Sequence, residues 1–109
     1  MKRQSPTKAE GIRKARTLKL LLQKHGFPVT DVLLFGSIAK GTSHAYSDVD
    51  IAVIHEPFGP SRFEEMRSMC NAERGSDLRN IEVVYIQTGD MTDKYSTIVR
   101  EVKEHGIPV

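Results

Sequence analysis

The stretch "LLFGSIAKGTSHAYSDVDIAVI", Leu33 to Ile54, decides the fold. It opens as an apolar strand, breaks at Gly36-Ser37, passes through small polar residues, and returns as a strand that starts with Asp48 and Asp50. Aspartate is disfavoured within strands, and residues two apart project from the same face. Two carboxylates so placed, with Cα atoms roughly 6.5–7 Å apart, predict a cation between them. Gly36 allows a phosphate close to the backbone, and the Ser37 hydroxyl with amides at a helical turn can bind its oxygens.

A phosphate loop is the competing reading. "GSIAKGTS" nearly fits G-x-x-x-x-G-K-[ST] and follows a strand, but the lysine position holds Thr42. Lys40 precedes Gly41 instead of following it, which sets its ammonium on a different vector. The glycine-serine break and the aspartate pair are therefore read together, as one device.

Outward from that device, "VTDVLLF" (Val29 to Phe35), "DVDIAVI" (from Asp48) and "IEVVYIQ" (from Ile81) are strand candidates. Thr7 and Glu10 form a capping box ahead of a helical stripe of Ile12, Ala15, Leu18 and Leu22, which Gly26 ends. After the loop "HEPFGPS", Ser61 and Glu64 predict a second capped helix carrying Phe63, Met66 and Cys70 inward. Tyr95, Ile98, Val99 and Val102 give a third stripe, ended by Gly106, and Asp90 reads as an N-cap. The order helix, strand, strand, helix, strand, helix predicts an α+β unit: a small mixed β-sheet flanked by helices. One domain over residues 1–109 is expected, with 1–6 as a flexible tail.

Composition narrows the class. A lone cysteine, Cys70, closes no intrachain bridge, which fits a reducing cytoplasm. No apolar run approaches the roughly 20 residues of a membrane helix or resembles a signal peptide. The net charge is +2, and the basic N-terminal run has no interleaved aromatic residue to stack bases. A solvated helix face accounts for that run better than nucleic-acid binding does. His25 and His105, beside Gly26 and Gly106, suit helix C-termini.

The period of two places Ala52 and Ile54 on the face of Asp48 and Asp50, and Val84 and Ile86 beside Glu82. With few helices to cover two apolar faces, that face is expected to stay partly bare as a partner surface, unless helix Thr7–His25 packs on it.

"GSIAKG" followed by "SDVD" resembles the signature G-S-x-A-x-G…S-D-x-D of the polymerase-beta-like nucleotidyltransferases. The short length and the ending "EHGIPV" look most like the minimal members, which include antitoxins. The resemblance implies a palm fold and transfer of a nucleoside monophosphate, AMP from ATP, to a hydroxyl. It implies that Asp48 and Asp50 bind metal, two Mg2+ ions, and that Gly36 and Ser37 contact the triphosphate, with Lys40, Gly41 and Ser47 from the same motif.

A third carboxylate on the next strand normally completes such a site. The matching residue is Glu82, where relatives commonly carry aspartate, and it would bind metal and accept the proton of the attacking hydroxyl. Lys40 and His44 lie in the loop, either touching substrate or merely solvated. Three roles stay open: adenylylation of a HEPN-domain toxin, transfer to a small hydroxylated molecule, or a binding module without turnover. Homo- or hetero-oligomers fit the first.

Overall fold

The computed structural model describes residues 6–43 and 47–109. Helix α1 (Lys8–Lys24) starts where expected, with Thr7 Oγ1 accepting the Glu10 N–H at 3.1 Å. It ends at His25, whose ring meets the Leu21 carbonyl at 2.9 Å, and Gly26 supplies the left-handed turn at φ +84°. There follow β1 (Val29–Phe35), the short α2 (Gly36–Lys40), β2 (Val49–His55), α3 (Arg62–Arg74) and β3 (Ile81–Gln87). A 3-10 turn (Thr88–Thr92), α4 (Thr97–His105) and β4 (Ile107–Pro108) close the chain.

The strands form one mixed sheet in the order β3-β2-β1-β4. β1 is antiparallel to both β2 and β4, and β2 is parallel to β3 through the crossover helix α3. β4 escapes sequence reading because it is two residues long and contains Pro108, a residue tolerated only at a sheet edge.

The alternation in β2 sorts the core into two layers. Val49, Ile51 and Val53 pack with Ala15, Leu18 and Leu22 of α1 and Met69 of α3. Each of the larger side chains contributes roughly 1.5–3 kcal/mol by leaving water. On the other face, Ala52, Ile54 and Ile86 pack with Phe35 and with Val99 and Val102 of α4. The expected bare face is therefore absent: Ala52, Ile54 and Ile86 are buried. The covering element is α4, not the N-terminal helix, because Val99 and Val102 one turn apart supply the apolar stripe it needs.

Two helix phases differ from expectation. In α3, Glu65 and Met69 are buried, Phe63 is 62% exposed, Met66 is exposed, and Cys70 is half-buried. The rotation has a polar cause. Glu65 Oε2 accepts the backbone N–H groups of Phe58 and Gly59, and Oε1 accepts from Gln87 Nε2 at 2.6 Å. These three donors draw position 65 inward and turn position 63 out. In α4, Ser96 is the N-cap and accepts the Val99 N–H, so Tyr95 precedes the helix and is 84% exposed.

Of the expected tail, residues 1–5 lie outside the described residues. Pro6 is buried, and its carbonyl accepts the Ser43 hydroxyl at 3.2 Å.

Candidate active site

The site is assembled by strand register. Asn80 takes the left-handed φ of 57°, and its carbonyl accepts the Val49 N–H at 2.9 Å. Short polar asparagine visits this conformation more readily than most side chains. The bond starts the parallel pairing of β2 and β3 and sets Asp50 level with Glu82. Across the antiparallel pair, Phe35 faces Asp50, so the chain enters Gly36 directly beside the aspartate.

Gly36 is required there for two reasons. Its φ is +72°, and a Cβ at this position would lie 2.1 Å from Asp50 Oδ2. Any side chain would displace the carboxylate. The turn then closes on itself: the Ser37 carbonyl accepts the Thr42 N–H at 2.8 Å, and Gly41 ends α2 at φ +77°. Ser37 and Ser47 are each largely shielded from solvent, and Lys40 leaves the end of α2 to form an ion pair with Glu101 of α4 at 2.6 Å.

Asp50 feels its neighbours strongly. Burial, followed by the negative charges of Glu82, Asp48 and Glu101, pushes its carboxyl up to about 6. Asp48 and Glu82 are exposed, and Asp48 lies one residue before β2 begins.

The structure thus brings together Gly36, Asp50 and Glu82, with Asp48 within electrostatic reach. Among the described residues, no three Asp, Glu, His or Cys side chains are drawn close enough to hold a metal ion as they stand. The donor set is nevertheless that of a hard cation, carboxylate oxygens without thiol or imidazole, and the paired Asp50 and Glu82 fit one. His44 lies outside the described residues.

Clefts of about 350 and 460 Å3, one lined by Val99, Arg100 and Lys103 and the other by Thr30, Leu33 and Met91, contain none of these carboxylates. Asp90 is not an N-cap. Arg62 grips it through two hydrogen bonds of 2.8 and 2.9 Å, which holds the Asp90 carboxyl below its ordinary range. Sequence reading also missed Glu101, because only the packing of α4 across the sheet brings position 101 to position 40.

A small mixed sheet backed by helices is the architecture of the palm fold of the polymerase-beta-like nucleotidyltransferases. The family model described as a nucleotidyltransferase domain matches residues 14–107, and the chain belongs to that family. No curated protein matches it in sequence.

Among solved structures, the chain is similar to a putative nucleotidyltransferase from Sulfolobus solfataricus, at 19% identity and a TM-score of 0.59, over 90% of this chain and 80% of that one. It is also similar to a chain of a toxin-antitoxin structure with AMP-PNP, at 22% identity and a TM-score of 0.52, over 86% of this chain and 70% of that one. At these identities the likeness shows a shared fold.

Proposed function

We propose that the protein transfers AMP from ATP to a hydroxyl on a partner protein, a HEPN-type toxin, and so acts as an antitoxin. The observation that carries the reading is the Asp50 carboxylate, set over Gly36 and level with Glu82 on the next strand. A toxin as partner is supported by the likeness to the toxin-antitoxin structure with AMP-PNP, and its HEPN class by the sequence resemblance to the minimal nucleotidyltransferases.

In this reading Asp48, Asp50 and Glu82 hold two Mg2+ ions. Bound there, Mg2+ supplies Lewis-acid stabilisation for the triphosphate and for the departing pyrophosphate. Gly36 leaves room for the phosphates, Ser37 donates its hydroxyl to them, and Lys40, Gly41 and Ser47 shape the same loop. The acceptor oxygen bonds to the α-phosphorus while the bond from that phosphorus to the oxygen bridging the β-phosphate breaks. Glu82 takes the hydroxyl proton, and pyrophosphate leaves with the electron pair.

The test is incubation of the full chain with the product of the adjacent gene, Mg2+ and ATP labelled at the α-phosphate. Label appearing on that protein is expected. Label moving only to small hydroxylated molecules, or no release of pyrophosphate with any acceptor, would contradict the reading.

A further inference from the structure

Lys40 is the cation that α2 presents beside the carboxylate end of the sheet, and it is not free. Its ammonium lies 2.6 Å from Glu101 Oε1, with Lys40 exposed and Glu101 half-buried. Glu101 stands on α4, the helix that covers the Asp50 face of the sheet, and its charge reaches Asp50. We infer that Glu101 belongs to the nucleotide site as the resting counter-ion of Lys40, a positioning residue from which a triphosphate takes the lysine on binding. The inference rests on the nucleotide reading above and assigns Glu101 a part in it.

The physical case is an exchange of partners. A lysine ammonium serves a phosphate as a compact point charge, and it is drawn to triphosphate oxygens as it is to a carboxylate. While Lys40 stays on Glu101, the site presents Asp48, Asp50, Glu82 and Glu101 to an incoming polyanion. Moving Lys40 onto the phosphates requires breaking the pair. Glu101 thereby lowers affinity for the triphosphate while keeping the lysine parked beside the loop. Removing its charge frees Lys40 and also removes one repulsive carboxylate, so both effects tighten binding.

The experiment titrates a non-hydrolysable ATP analogue with Mg2+ into the wild-type chain, Glu101→Gln, Lys40→Ala and the double variant. An exposed ion pair of this kind predicts tightening by roughly two- to fivefold in Glu101→Gln. Lys40→Ala is expected to bind more weakly than wild type. In the Lys40→Ala background, Glu101→Gln should give a smaller gain, because only the repulsion remains to be relieved.

Equal gains in both backgrounds, an unchanged or weaker Glu101→Gln, or Lys40→Ala binding like wild type would each overturn the inference and leave the nucleotide reading intact. A wild-type chain that binds no analogue would instead remove the nucleotide reading itself.

Discussion

The parallel pair β2 and β3 meets an inward-set carboxylate at each end, Asp50 of β2 at one and Glu65 of α3 at the other, and the two are treated in opposite ways. At the starting end, Asp50 stands level with Glu82 and is pushed up to about 6 by burial and like charges. At the far end, where His55 stands level with Gln87, Glu65 accepts the Phe58 and Gly59 amides and the Gln87 side chain, and these hold its carboxyl down to about 2. An acid surrounded by donors serves the fold. An acid surrounded by acids is kept at a cost to stability, and on the proposed function that cost maintains a cation site.

The contrast is broken most severely by Asp50→Asn. Nucleotide transfer is expected to fall by roughly three orders of magnitude, about 4 kcal/mol of transition-state stabilisation. The melting temperature in chelator should hold or rise, since a repelled charge is lost. Retained activity, or a marked fall in metal-free stability, would show that the two ends are not opposites.

Glu65→Gln makes the converse change. It leaves transfer chemistry untouched and replaces one acceptor oxygen with an amide donor facing other donors, so the melting temperature should fall by on the order of 5–10 °C. A thermal melt of the full chain checks this, and an unchanged midpoint would reduce Glu65 to a bystander.

The pH dependence sharpens the comparison, because the two slopes have opposite signs. Asp50 binds its proton more tightly in the folded chain than the ordinary value of 3.8, so its contribution is complete below that pH and is lost as pH rises toward about 6. Discounted for its partial exposure, that loss is about 1 kcal/mol. Glu65 contributes fully above its ordinary value of 4.5, and its contribution is lost as pH falls toward about 2. Denaturant midpoints in chelator should therefore flatten between pH 4 and 6 in Asp50→Asn and below pH 4.5 in Glu65→Gln. Parallel shifts at every pH would contradict both assignments.

The two ends also differ in how much of them the sequence discloses. The residues of the starting end are close in sequence: Gly36, Ser37, Asp48 and Asp50 fall within one strand-turn-strand, and the family resemblance then points to Glu82 on the next strand. The far end is hidden because its logic is not periodic. Glu65 meets Gln87 from 22 residues away, and a buried charge at position 65 overrides the apolar phase that Phe63 and Met66 propose. The same holds for Arg62 with Asp90 and for Lys40 with Glu101, pairs formed only after helices have packed. The covering of the Asp50 face is hidden for a simpler reason: the stripe of Tyr95, Ile98, Val99 and Val102 marks an apolar helix side but not which face of the sheet that helix packs on.

On the proposed function, the crowded carboxylates at the starting end take a cation that brings a triphosphate with it. Calorimetric titration of ATP into the wild-type chain, once with Mg2+ and once with chelator, tests it most directly. Binding with Mg2+ and none in chelator is predicted, because the triphosphate and the carboxylates repel until a cation lies between them. Equal affinity under both conditions would contradict it.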